Sequence, residues 1–138
     1  MNNFLSISEA TNIAIHLCAR LATPGPKYYS SRKIAEEYDF SLNHLAKVVG
    51  KLVKAGILES SRGKVGGIRL GKPLDQINVA ELNAVVTELD DNPCLLSRHI
   101  CTGGKCTFGR WLSLENKKIE ESLRNATIKE IVESLGQA

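Results

Sequence analysis

Ser41-Leu-Asn-His-Leu-Ala-Lys-Val-Val-Gly-Lys-Leu-Val-Lys-Ala-Gly-Ile-Leu58, continuing as Glu59-Ser-Ser-Arg-Gly-Lys-Val-Gly-Gly-Ile-Arg-Leu70, is the stretch whose reading decides the fold. Ser41 stands at a helix N-cap position, and Gly56 stands where a helix of this length closes, just after the C-cap. Between them Leu42, Leu45, Val49 and Leu52 repeat at helical spacing, while Asn43, His44, Lys47, Lys51 and Lys54 form a polar, basic stripe. Upstream, Ser30-Ser31 opens a shorter predicted helix with Ile34, Ala35 and Tyr38 facing inward, and Asp39-Phe40 is a tight link. A short helix, a tight turn and a second helix with a polar stripe make a helix-turn-helix, whose second helix lies in the DNA major groove. Asn reads an adenine edge there, and Lys reaches guanine or a phosphate. Periodicity alone would favour an ordinary amphipathic surface helix, so the next segment decides. Residues 57–61 read as a strand, 62–67 as a turn and 68–70 as the return strand. Glycines at 63, 66 and 67 permit positive φ and close backbone approach. Arg62 and Lys64 at the tip would sit beside a phosphate backbone or reach a minor groove. A helix-turn-helix followed by a basic hairpin is a winged helix. The candidate DNA-contacting residues are Ser31, Arg32, Ser41, Asn43, His44, Lys47, Lys51, Arg62 and Lys64. The glycine-rich tip lacks the Gly-Lys-Ser/Thr ending of a nucleotide-binding loop.

Composition agrees with this reading. The chain has 138 residues, 43% apolar and 24% charged, which fits one globular domain. No run approaches the roughly 20 apolar residues of a membrane span. No cationic stretch followed by an apolar one marks a secretory signal, so a cytoplasmic setting without membrane contact is expected. The net charge of +3 hides an asymmetry: residues 1–72 carry eleven Lys/Arg against five Asp/Glu, and residues 73–138 carry seven against ten. A basic DNA-binding region over 1–72 and an acidic region for control and assembly over 73–138, within one compact domain, follow from that split. Charge alone is also met by a solvated basic face.

The remaining segments are helical. Ile7, Ala10, Ala14, Leu17 and Leu21 predict a first helix over about 7–21, with Ser6-Ile-Ser-Glu9 as its capping box and Thr23-Pro-Gly-Pro26 as its end. After Pro73, Asn78-Val-Ala-Glu81 opens a helix carrying Val79, Leu82, Val85, Val86 and Leu89. A longer helix then carries Phe108, Trp111, Leu112, Ile119 and Leu123. It offers more apolar surface than so small a domain covers, so a homodimer seam is expected, and two-fold symmetry pairs with palindromic DNA sites. Thr127-Ile-Lys-Glu130 opens a short last helix closed by Gly136. The expected fold is mainly α with a β-hairpin wing: a winged helix-turn-helix plus a long dimerisation helix.

Three of the four cysteines, Cys94, Cys101 and Cys106, fall within thirteen residues, with Gly103 and Gly104 between the last two. In a reducing compartment such a cluster is more often metal-binding or catalytic than disulfide-bonded. With His99 the trio makes a three-Cys, one-His set that zinc accepts. Thiol oxidation without a metal is a further alternative. A Cys–His nucleophilic pair would make an enzyme, but no third orienting group stands at a recognisable spacing, so no enzyme is expected. Cys18 lies beside the apolar stripe of the first helix and reads as core. His16 shows no partner in the sequence.

The runs Ser41-Leu-Asn-His-Leu-Ala-Lys-Val48, Lys54-Ala-Gly-Ile-Leu58 and Arg62-Gly-Lys-Val-Gly-Gly-Ile-Arg-Leu-Gly71, with the cysteine trio, resemble the IscR/NsrR family of winged-helix regulators over nearly the whole chain. The resemblance implies a homodimeric transcriptional regulator, usually a repressor, that senses nitric oxide, redox or iron–sulfur status through a 4Fe-4S or 2Fe-2S cluster. Asn43-His44-Leu45 and the wing resemble the nitric-oxide-sensing branch. Where the IscR branch has a recognition-helix Glu and a His ligand after the third Cys, this chain has Ala46 and Gly109. The cysteine spacing of six then four departs from the family's usual five and five. In NsrR-like proteins an acidic residue near the start of the first helix completes the cluster from the partner subunit, and Glu9 occupies that position here; His99 is the competing ligand.

Overall fold

The computed structural model describes residues 7–63, 66–87 and 106–136. Cys94, His99, Cys101, Lys64, Leu89 and Ser6, all singled out above, lie outside them. The elements are α1 (Glu9–Leu21), α2 (Ser31–Tyr38), α3 (Leu42–Lys54), β1 (Leu58–Ser61), β2 (Gly67–Leu70), a 3₁₀ turn (Leu74–Gln76), α4 (Val79–Val86), α5 (Thr107–Asn125) and α6 (Ile128–Leu135). Helices dominate and the hairpin is antiparallel, with Leu58 opposite Leu70 and Ser61 opposite Gly67.

Local sequence sets most boundaries. Ser30, Ser41, Asn78 and Thr127 each cap a helix by accepting an amide N–H three residues on. At Thr127 the Glu130 carboxylate also accepts the Thr127 amide, completing a capping box. The start of α1 differs from expectation. Ser8 is its N-cap, with the hydroxyl accepting from the Thr11 amide at 3.1 Å. Glu9 therefore holds the first helical position, not the third that a capping box requires. Ile7 falls outside the helix and is 44% exposed. The buried face is Thr11, Ile13, Ala14, Leu17, Cys18 and Leu21.

One core joins both halves of the chain. Leu45, Val48 and Leu52 of α3 meet α1, Ile34 of α2, Ile57, Leu58 and Ile68 of the wing base, and Ile77, Leu82, Val86 and Ile128. Leu42 is 40% exposed because it lies in the first turn of α3, while Val48, outside the expected stripe, is buried and Val49 is half-buried. Arg20 Nε donates to both Glu37 carboxylate oxygens, at 3.1 and 3.0 Å, tying α1 to α2. The chain re-enters after α5 beside the start of α4: Val79 N donates to Ala126 O and Ile128 N to Ile77 O.

The long helix α5 buries no residue in the single chain. Ile119 and Leu123 turn toward α4, lining a groove with Ala80, Asn83 and Ala84. Phe108, Trp111 and Leu114 stand 44%, 54% and 54% exposed on the preceding turns. The uncovered apolar surface is thus nearer the start of α5 than the sequence led us to expect. Among the described residues, no helix is long and apolar enough to cross a membrane.

Candidate nucleic-acid interface and metal-ligand residues

Asp39 makes the turn between α2 and α3. Its φ of 55° is left-handed, Phe40 N donates to Ala35 O at 2.9 Å, and Asp39 N donates to Glu36 O at 3.5 Å. This is the hydrogen-bond pattern of a Schellman cap, with Asp where Gly is usual. Tyr38 and Phe40 stack at 5.5 Å between ring centroids, and His16 of α1 meets both rings edge-on at 5.8 and 6.2 Å. His16 Nδ1 also pairs with Asn12 O at 2.9 Å. The histidine without an evident partner is therefore packing for the turn.

With the turn fixed, α3 presents Asn43, Ala46, Lys47 and Gly50 to solvent along one stripe. Ser41 caps that end, and His44 is half-buried beside it. Arg32 is exposed at the start of α2, and Ser31 is partly covered. Lys51 differs: its ammonium donates to Val86 O at the end of α4, at 3.2 Å. Lys51 remains exposed on the stripe, and its ammonium reaches the C-terminal end of a helix, where a cation is favoured.

The wing is anchored to the start of α2. Tyr29 and Ile68 exchange backbone hydrogen bonds of 2.8 and 2.9 Å. Gly67 permits this approach, since a Cβ there would stand 2.3 Å from Tyr29 O. Arg69 Nε donates to Glu59 across the hairpin at 2.7 Å, and its guanidinium lies over the Tyr28 ring at 5.0 Å. Arg62 is exposed at the tip beside Gly63, whose φ is 119°. Tyr28 and Tyr29 were not singled out from sequence; the bulky pair before a Ser cap was the available signal.

Of the candidate metal ligands, two are described. Glu9 is solvent-facing, with Oε2 3.6 Å from His44 Nδ1 on α3. Cys106 is exposed and caps α5, its Sγ accepting the Gly109 amide at 3.3 Å. An exposed sulfur that receives an amide N–H suits an iron–sulfur ligand, because such hydrogen bonds tune the cluster. A Cβ on Gly109 would stand 3.9 Å from that sulfur. Cys18 offers no such chemistry: it is fully buried, and burial, followed by the Glu81 charge, pushes its thiol up to about 12. Among the described residues, no three His, Cys, Asp or Glu side chains converge on one point.

A polar network that the sequence reading missed ties the start of α1 to the end of α4. Thr11, 1% exposed, donates to Asn83 Oδ1 at 2.8 Å. Ser8 Oγ lies 2.8 Å from Thr11 Oγ1 and 3.2 Å from Thr87 Oγ1, and Thr87 donates to Asn83 at 3.3 Å. The signal was Thr11 at a core-facing period with Ala14 and Cys18, a polar side chain in an apolar register.

Comparison with known proteins agrees with this geometry. A family model described as Rrf2, iron-dependent transcriptional regulator, matches residues 7–134. The chain is 37% identical over 89 residues to the HTH-type transcriptional regulator NsrR of Shouchella clausii, a match covering 64% of this chain and 58% of that protein. Its fold resembles Staphylococcus aureus CymR (TM-score 0.72, 24% identity, 91% of this chain and 97% of that one). It also resembles T. potens IscR (TM-score 0.69, 25% identity, 96% and 89%).

Proposed function

We propose, for a chain that belongs to the Rrf2 family of transcriptional regulators, a homodimeric cytoplasmic repressor that reads a palindromic operator and senses nitric oxide or redox state through an iron–sulfur cluster. The observation that carries the DNA half is the outward stripe of Asn43, Lys47 and Gly50 beside the Arg62-bearing wing. Asn43 and Lys47 would meet base edges. Ser31, Arg32, Ser41, His44, Arg62 and Lys64 would hold phosphates and set register. Residues 1–72 do the reading, and 73–138 carry sensing and assembly. Cys94, Cys101 and Cys106, with Glu9 of the partner subunit, would hold the cluster, either 4Fe-4S or 2Fe-2S. When bound, the cluster supplies iron that reacts with nitric oxide and oxygen. The exposed Cys106 thiol and exposed Glu9 carboxylate support that role. The same exposure of Cys106 supports a second reading, in which thiol oxidation alone carries the signal.

One anaerobic preparation tests both. Brown protein with iron and sulfide, losing or gaining duplex affinity after nitric oxide, is the expected result. Colourless protein whose affinity follows thiol oxidation moves the signal to the cysteines alone, and bound zinc makes the site structural. Absence of duplex binding in every state at low salt would end the regulator reading. Glu9→Ala and Glu9→Gln should both alter the spectrum and the rate of cluster loss. Because Glu9 is not in a capping box, neither should cost much stability; a spectrum unchanged in both passes the fourth position to His99.

A further inference from the structure

Val86 and Thr87 close α4 immediately before the cysteine-bearing segment, and both are tied to the DNA-reading elements. The Val86 carbonyl accepts a hydrogen bond from the Lys51 ammonium, which links the second half of α3 to the end of α4. The Thr87 hydroxyl meets Ser8 and Thr11, which fixes the first turn of α1. That turn belongs to α1, whose Ile13, Ala14 and Leu17 share one core with Leu45, Val48 and Leu52 of α3. The recognition helix is therefore referenced to the end of α4 at two points, one directly and one through α1.

We propose that the last turn of α4 is the coupling element between the cysteine-bearing segment and the recognition helix, with Lys51 and Thr87 as positioning residues. A displacement of Val86 and Thr87 moves both attachments of α3 together, and so changes how its outward stripe fits a groove. The network of Ser8, Thr11, Asn83 and Thr87 is buried or half-buried, and such networks suit this task. Breaking one bond leaves a desolvated partner, so the network holds one arrangement and then switches to another. This rests on the reading that the cysteine segment is the sensor, because a signal must arise there for coupling to matter. A phosphate contact is the competing role for Lys51, and it predicts different behaviour. Loss of a phosphate contact weakens both sensor states equally and lowers the salt slope by about one. Loss of a coupling bond changes the ratio between the states.

Two measurements on the full chain decide it. The first is amide hydrogen exchange without DNA. Thr87→Val keeps size and removes the hydroxyl; it should speed exchange several-fold at the Asn12 amide, which bonds to Ser8 O, and at Leu45 in α3. Lys51→Met keeps the aliphatic stem and should speed exchange at the Thr87 amide. Changes confined to the mutated residue's own helix overturn the proposal. The second is the ratio of duplex dissociation constants before and after nitric oxide or thiol oxidation. Each substitution should cut the wild-type ratio by about fivefold or more, the lower end of ordinary allosteric coupling. For Lys51→Met, an unchanged ratio with equal weakening in both states makes it a phosphate contact and overturns the proposal. If the wild type shows no ratio at all, the sensor reading has failed, and hydrogen exchange alone decides whether the α4 turn governs α3.

Discussion

Gly50 lies in the interior of α3, where glycine costs roughly 0.5–1 kcal/mol relative to alanine. Nothing among the described residues requires it: a Cβ there would meet none of their atoms within 4 Å. It shares the outward stripe with Asn43 and Lys47, so the missing side chain leaves that surface low for something outside the chain. Gly50→Ala should therefore raise the thermal midpoint while weakening duplex affinity; a variant that gains stability and keeps full affinity would show that the DNA does not come close at this point. Cys18 makes the opposite case, a residue whose chemistry is suppressed by its place. Its thiol is raised from 9.0 to about 12 by burial, so the folded chain keeps a proton that the unfolded chain releases between those values. That stability is fully present below pH 9 and is lost as pH climbs toward 12. Cys18→Ala should lower stability near neutrality by leaving a small cavity, and should flatten the decline above pH 9 in chemical denaturation. An identical decline in both proteins would assign it to other groups.

Among the elements, α3 shows best what the sequence could and could not tell. Its end was legible: Gly56 has φ 76°, its amide bonds to Val53 O at 3.0 Å, and Ile57 N reaches Leu52 O at 3.0 Å. Among the described residues, a Cβ on Gly56 would meet nothing within 4 Å. Gly56→Ala should therefore cost only the left-handed strain, roughly 1–2 kcal/mol, read as a shifted denaturation midpoint; a loss well beyond that would mean the wing entry had moved. Caps and turns are local chemistry, which is why Ser30, Ser41, Asn78 and Thr127 could be read without a structure. The faces were less legible. Ile7 fits the period of α1 as well as Ile13 does, yet Ser8 starts the helix one residue beyond it. Leu42 fits the stripe of α3, yet the first turn lies too near the surface to be covered. Least legible were contacts that exist only after packing. Lys51 and Val86 are 35 residues apart, and Thr11 and Asn83 are 72 apart. No period or motif links them. For the cysteine trio, the described residues reach only Cys106.

At the scale of the whole molecule the unfinished surface is on α5. Phe108 and Trp111 lie 5.7 Å apart between ring centroids, and Leu114 continues their face one turn on. Completing the burial of three half-exposed side chains on each of two copies would gain roughly 5–9 kcal/mol. Association costs about 4–15 kcal/mol before any contact is counted. The patch thus matches the lower part of that cost and needs the rest of the helix to complete an interface. Losing any one of its members should then be enough to shift the equilibrium. Trp111→Glu would place an unpaired charge where apolar contact is required, and it should convert a micromolar dimer into monomer in sedimentation velocity while the helical signal stays intact. Ile119→Glu separates assembly from folding, because Ile119 lines the groove against α4. It should lower stability first and lose the dimer only as a consequence. A wild-type chain that sediments as monomer at micromolar concentration would remove the homodimer. A dimer unmoved by Trp111→Glu would place its interface elsewhere than the start of α5.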